Sequence, residues 1–345
     1  MGRVKLQKYS AIDLFCGCGG LTQGLKKAGF CVLGAVDIDP LSIETYKANH
    51  PEVVTWKADI RKLKVATIKK KFALNKGSLD LLAGCPPCQG FSTMRTLNGA
   101  KRISDPRNDL LMEFQRFAEK LKPKAVMLEN VPGLAKDRRF AAFCRRMEQL
   151  GYTGQYRILN VAKYGVPQRR RRLIYLAGLN GAIDFASEAK KSRTVRDTIA
   201  FLPPAGNSGD ALHDLPENRS EKVKKLIKKI PKDGGSRTDL SKKAQLRCHK
   251  KCNGFKDVYG RMSWDDVAPT ITGGCFNPSK GRFLHPTKNR AITMREAALL
   301  QGFPRKYKFL NLKSKVDIAL LIGNALPPEF IRRHALEILK ALKLP

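Results

Sequence analysis

The chain predicts a doubly wound α/β sheet accompanied by a second, smaller and more irregular domain. Three observations carry this. Short apolar runs alternate with amphipathic segments through the first half, the pattern fades after Gly178, and helical periodicity returns from Thr293 onward.

In chain order, residues 10–14, 31–36, 79–83 and 125–128 are short apolar runs of strand length, each ending at a polar or glycine-rich position. Residues 41–49, 110–121 and 140–150 carry helical spacing between them, and 156–160 and 173–177 supply further strands. Strand, loop and helix in repetition imply a mostly parallel sheet covered on both faces, with ligands at the carboxyl ends of the strands. From Gly178 to about Lys251 the chain is rich in Lys, Ser, Asp, Gly and Pro, and its run 222–232 reads as a solvated helix face. Helical pattern resumes at 293–300 and 316–342, with Pro327-Pro328 starting the last helix, where proline is tolerated.

With 345 residues and 42% hydrophobic content the chain can bury a large core, as one big domain or two. Its 66 Lys and Arg against 30 Asp and Glu give a formal charge of +36, spread along the chain. A basic surface serving solubility alone would oppose compactness through self-repulsion, so a polyanion, nucleic acid first, is the expected partner. Nine cysteines, an odd number, fit free thiols in a reducing compartment better than disulfides. Residues 1–10 lack the apolar core of a signal peptide, and no apolar run is long enough to cross a membrane. An intracellular, cytoplasmic protein is expected.

The first strand runs into Asp13-Leu14-Phe15-Cys16-Gly17-Cys18-Gly19-Gly20, whose glycines permit a tight turn and close approach of a ligand to the backbone. A dinucleotide fingerprint would place Gly or Ala where Thr22 stands, which argues against nicotinamide. Asp37, at the next strand end, is placed to bond ribose hydroxyls, Ile38 beside it offers an apolar face for adenine, and Asp59 is placed to reach the adenine amino group. A nucleoside-containing cofactor is implied.

Gly84-Cys85-Pro86-Pro87-Cys88-Gln89-Gly90-Phe91-Ser92 follows another apolar run, and its prolines stiffen the loop that presents Cys88. A redox pair and a structural cysteine compete with a nucleophile here. Glu129, in Leu128-Glu129-Asn130-Val131, ends the following strand and should reach the same sheet edge. A thiol and a carboxyl group together suit addition to C6 of cytosine, where charge building at N3 must be neutralised. In Gln168-Arg169-Arg170-Arg171-Arg172, strand alternation would send Arg170 and Arg172 to one face. A generic phosphate-binding run is the alternative. Cys248, His249 and Cys252, with Cys275 further on, have short spacing and no evident fourth ligand, so no metal site is expected.

These blocks, in this order, resemble the cytosine-C5 DNA methyltransferase family of prokaryotic type. They are Asp13 to Gly20, Pro87-Cys88-Gln89, Glu129-Asn130-Val131, Gln168 to Arg172, Arg295-Glu296 with Leu300-Gln301-Gly302-Phe303-Pro304, and Gly323-Asn324-Ala325. Tyr259 to Asp266 and Pro269 to Gly274 resemble the block that organises the family's recognition domain. The resemblance implies a Rossmann-like S-adenosylmethionine-dependent methyltransferase domain at 1–178 and 305–345, with a target-recognition domain at 179–304. It further implies a C-terminal segment folded back onto the first strand and helix. Asp13, Phe15, Gly17, Gly19, Gly20, Asp37, Ile38, Asp59 and Asn324 then stand as cofactor residues. Cys88 stands as the nucleophile, Glu129 as the N3 partner, and Arg172 supported by Arg170 as the contact to the cytosine O2 side. The implied activity is methylation at C5 of a cytosine flipped out of duplex DNA, by a monomer, with a cognate restriction endonuclease not visible in this sequence. A transfer-RNA cytosine methyltransferase with the same motifs and a catalytically silent DNA-binding protein are the competing readings.

Overall fold

A computed structural model describes residues 9–87, 109–241, 243, 245, 257–312 and 314–343. The described residues within Met1–Val161, Arg171–Glu188 and Leu326–Pro345 form one compact unit, and those within Ala162–Arg170 and Ala189–Ala325 form another.

The first unit carries β1 (Tyr9–Leu14), α1 (Gly20–Ala28), β2 (Phe30–Asp37), α2 (Pro40–Asn49), β3 (Val54–Lys57), α3 (Val65–Phe72) and β4 (Leu81–Gly84). After these come α4 (Leu110–Leu121), β5 (Ala125–Asn130), α5 (Arg138–Gln149), β6 (Thr153–Asn160) and β7 (Arg171–Gly178). Among the described residues the sheet order is β3-β2-β1-β4-β5-β7-β6. The first five strands are parallel, and β7 runs antiparallel to both β5 and β6. The expected doubly wound α/β sheet is therefore present.

Alternation along the strands sorts side chains between two buried faces. Ile12, Leu14, Val36, Leu82, Val126, Leu128 and Tyr175 pack with Phe114, Phe117, Phe140 and Phe143 of α4 and α5 in one core. Tyr175 meets Phe143 edge-on at 5.3 Å between ring centres. The intervening residues, among them Ala11, Asp13, Ala35, Ala83 and Met127, are equally buried on the other face. There Thr22 of α1 bonds Asp13. A Cβ on Gly24 would lie 2.6 Å from both Ile331 Cβ and the Pro328 carbonyl oxygen. Glycine thus lets α1 cross closely over the last helix, α10 (Pro328–Lys343), which sets the C-terminal segment against α1.

Helix ends follow their local chemistry. Asp39 caps α2 through Ser42 N at 2.7 Å with Pro40 in the first turn, and Gly29 closes α1 in the left-handed region at φ 109°. The helical pattern over 316–342 resolves into α9 (Lys315–Asn324) and α10, separated at the proline pair.

The second unit is poor in sheet, with α6 (Val195–Ile199), α7 (Glu221–Lys229), α8 (Met294–Leu300) and α9. Helix α7 buries Leu226 and Ile227 and turns its lysines outward, as the run 222–232 suggested. Arg261, fully buried, organises the surrounding irregular backbone. Its Nε donates to the Ile230 carbonyl, Nη1 to those of His285 and Lys288, and Nη2 to the Ile227 carbonyl and Asn289 Oδ1, so all five guanidinium donors are engaged. Thr293 and Glu296 form a reciprocal cap at α8, and Arg290 binds the Glu296 carboxylate in bidentate fashion.

Candidate active site

The glycine-rich turn leads from the carboxyl end of β1 into α1 and is hydrogen-bonded to the carboxyl end of β2. Phe15, Gly17 and Gly19 take positive φ values of 61°, 51° and 96°. Cys16 N donates to the Val36 carbonyl at 3.0 Å, binding the turn to β2. The Asp37 carboxylate accepts Gly17 N on Oδ2 at 2.8 Å and Asp39 N on Oδ1 at 2.9 Å. A carboxylate offers about four lone-pair directions, so Asp37 keeps acceptor capacity beyond these two. Gly19 caps α1 without a side chain, a Cβ on Gly17 would meet nothing within 4 Å, and Ile38 is 63% exposed. An open floor of backbone, an acid and an uncovered apolar side chain fit a nucleoside.

Seven of the expected cofactor residues, Asp13, Phe15, Gly17, Gly19, Gly20, Asp37 and Ile38, thus converge at two adjacent strand ends. Asp59 lies just beyond β3, and Arg61 grips its carboxylate with Nε at 2.9 and 3.0 Å and Nη2 at 2.6 Å. Asn324 is the exposed last residue of α9, in the second unit.

Asp13 faces inward from β1. Thr22 Oγ1 donates to its Oδ2 at 2.7 Å and also meets the Tyr46 hydroxyl at 2.8 Å. Complete burial pushes the Asp13 carboxyl up to about 7, with Asp37 adding to the rise and Thr22 opposing it. A carboxyl whose folded value exceeds its unfolded one stabilises the fold below the unfolded value, and that stability is lost as pH rises through the folded one. Asp13→Asn, which keeps an acceptor for Thr22, should therefore raise the Tm relative to wild type. The gap should widen between about pH 4 and pH 7 and reach several degrees, roughly 4 °C, by pH 8. Thermal melts showing a gap independent of pH would refute this.

At the ends of β4 and β5 lies the second cluster. Gly84 pairs with Leu128, which places Cys85 beside Glu129 one step further along. A Cβ on Gly84 would sit 2.6 Å from the Leu14 carbonyl oxygen, so only glycine allows this approach of β4 to β1. Asn130 Nδ2 donates to the Pro86 carbonyl at 2.9 Å, and Cys85 N donates to that of Leu14 at 3.2 Å, so the loop is tied to β5 and β1. Glu129 is nearly buried, and Arg172 Nε stands 2.9 Å from its Oε1. Glu129 faces Ile174 across β5 and β7, so Arg172 is its diagonal neighbour, within reach of a long side chain. The Cys85 thiol hydrogen-bonds Glu129, and burial first, then the negative charges of Glu129 and Asp13, push it well above the ordinary thiol range. A carboxyl group held between a guanidinium and a thiol in low dielectric can hold or move a proton at a fixed point.

Cys88 lies outside the described residues, as do Cys248, His249 and Cys252. Among the described residues no three His, Cys, Asp or Glu side chains are grouped to hold a metal ion, and no helix is long and apolar enough to cross a membrane. Alternation fails at Arg170, because β7 begins at Arg171 and Arg170 belongs to the second unit. Its Nη1 donates to the carbonyls of Ile271 and Gly323, each at 3.0 Å. Gln168 lies nearby in that unit, with Nε2 to Gln301 Oε1 at 2.6 Å and Oε1 accepting Ile271 N at 3.0 Å. The motif spacing marked these residues without revealing that they join one another. Cys85 was overlooked beside Cys88. Its signal was its place one residue past β4, next in register to Glu129 near the end of β5.

A doubly wound sheet with a glycine turn, strand-end acids and a buried carboxyl–guanidinium pair defines an α/β enzyme whose chemistry sits at the strand carboxyl ends. The chain belongs to the C-5 cytosine-specific DNA methylases, whose family model matches residues 9–340, and it is a DNA (cytosine-5) methyltransferase. It is 37% identical to the Type II methylase M.HgiDII of Herpetosiphon aurantiacus over 92% of this chain and 91% of that protein. It is 34% identical to the Type II methyltransferase M1.BsuMI of Bacillus subtilis, over 97% and 81%. Its fold is similar to that of the Entamoeba histolytica methyltransferase EhMeth (TM-score 0.66, 18% identity) and of the Schizosaccharomyces pombe Dnmt2 methyltransferase (TM-score 0.62, 20% identity). Each of these matches covers 97% of this chain and 99% of the other.

Proposed function

We propose that this chain transfers a methyl group from S-adenosylmethionine to C5 of a cytosine flipped out of double-stranded DNA, through a covalent bond between Cys88 and C6. The observation that carries the reading is the Glu129–Arg172 pair, nearly buried at the strand end next to the Cys85-Pro86-Pro87 loop that leads into Cys88. The bound cofactor supplies an electrophilic methyl on a sulfonium. Asp37 and the Gly17 turn would receive its ribose, Ile38 would offer its adenine an apolar face, and Phe15, Gly19 and Gly20 would complete that cradle, while Asn324 is assigned to the cofactor by its match to the family's Gly-Asn-Ala block. Asp13 supports the turn through Thr22 of α1, and Asp59, oriented by Arg61, would accept from the adenine amino group.

Within the stacked duplex C6 is inaccessible, so the base must leave the stack. The Cys88 thiolate adds to C6, and Glu129 supplies a proton at N3, which neutralises the charge that addition creates there. Arg172 orients Glu129 and contacts the O2 side, while Arg170 braces the chain just before it. C5 then takes the methyl, the C5 proton passes to solvent, Cys88 leaves C6 as the thiolate, and the N3 proton returns to the Glu129 carboxylate, which restores the ring. The excess positive charge suits the DNA backbone. The protein acts as a monomer in the cytoplasm, and Type II relatives suggest pairing with a restriction endonuclease.

Duplex DNA containing 5-fluorocytosine should trap the protein, because fluorine cannot leave C5 as a proton does. With S-adenosylmethionine present, a denaturation-resistant complex should form on DNA and map to Cys88. Absence of the complex, or a preference for transfer RNA in tritiated-methyl assays, would overturn the reading.

A further inference from the structure

Glu129 is contacted from two sides, and the proposed reaction accounts for only one of them. Arg172 approaches from β7, at 2.9 Å. From β4 comes Cys85, hydrogen-bonded to the same carboxyl group, with Asp13 of β1 beyond the thiol. The backbone imposes this contact. Gly84 pairs with Leu128, Cys85 N is anchored to the Leu14 carbonyl, and the next residue, Pro86, is held by Asn130. These bonds fix the backbone at position 85 and, through the register, place its side chain at the same sheet edge as Glu129.

We propose that Cys85 is a positioning residue for Glu129. Its thiol donates to the Glu129 carboxyl group and, with the Arg172 guanidinium, fixes that group's orientation and its affinity for a proton. Beside two carboxyl groups, Glu129 and Asp13, the thiol stays protonated and acts as a donor. Donors to a carboxylate favour its ionised form, so removing one lets the protonated form persist to higher pH.

This rests on Glu129 acting as the N3 proton donor, and three variants separate the two ideas. In Cys85→Ala, the single-turnover rate of methyl transfer should fall about fivefold, the value of one modest hydrogen bond. The alkaline limb of its pH profile should move up by roughly half a unit, with KM for DNA changed less than about twofold. Cys85→Ser keeps a donor of nearly the same size and should return both the rate and the limb toward wild type. An Ala variant with wild-type rate and limb, or Ser and Ala equally impaired, would overturn the role of Cys85. Glu129→Gln, measured alongside, tests the underlying reading. A loss of about a hundredfold or more upholds it, whereas near wild-type activity overturns both.

Discussion

Cys88→Ala should abolish methyl transfer to cytosine, a loss of at least about a thousandfold, while the Kd for duplex DNA changes by less than about threefold. The split follows from what the thiol does. In the proposed reaction it forms the bond that makes C5 nucleophilic, and without that bond C5 of an aromatic pyrimidine is a poor acceptor of a methyl cation. DNA affinity comes from many cationic contacts and loses little when one neutral side chain shrinks. The described residues that lead into Cys88 are held by other groups, Pro86 by Asn130 and Cys85 by the Leu14 backbone. Tritium incorporation and fluorescence anisotropy measure the two halves. Methylation surviving in the variant would remove the nucleophile assignment.

Gly323→Ala should destabilise the second unit by about 3 kcal/mol, as overpacking against immovable atoms does. A Cβ there would lie 2.3 Å from the Thr272 carbonyl carbon and 2.4 Å from Gly273 N, both backbone, so no rotamer change relieves the contact. The same Gly323 carbonyl accepts Arg170 Nη1, and displacing it would loosen that guanidinium too. The two tryptophans lie in different units, Trp56 in the first and Trp264 in the second. In a Trp56→Phe background, urea unfolding followed by fluorescence reports on Trp264 alone. An unchanged midpoint would show that α9 can move away from 272–273 at little cost.

The sheet was legible because each strand that matters is short, apolar and bounded by polar or glycine residues, a pattern a two-residue repeat reveals directly. Legibility failed where partners decide. β5 was read as ending at Leu128 and continues to Asn130, because the antiparallel β7 extends the ladder past the apolar run. β6 starts at Thr153, three residues before its apolar signature. It is an edge strand with an exposed flank, where Tyr156 and Ile158 are open to solvent.

In the candidate site, the turn, Asp37 and Ile38 could be placed from the strand–helix–strand pattern, since successive parallel strands end side by side. Arg170 could not. Alternation presumes a strand, and this residue sits just before one, bonded to carbonyls about a hundred and a hundred and fifty residues further along. Arg61, which closes on Asp59, and Cys85, which closes on Glu129, were invisible for the same reason. Each acts through a side-chain contact that no periodicity encodes.

Arg261 shows how such contacts can stand in for regular structure. Five oxygens surround one buried positive charge, as they would a calcium ion in a binding loop, and they gather the segments around Ile227, Ile230 and His285 to Asn289. Here the ion is a side chain, tethered by covalent bonds. No chelator can strip it and no competing cation can exchange with it, so this loop-rich backbone carries its own non-dissociable counterpart of a structural metal.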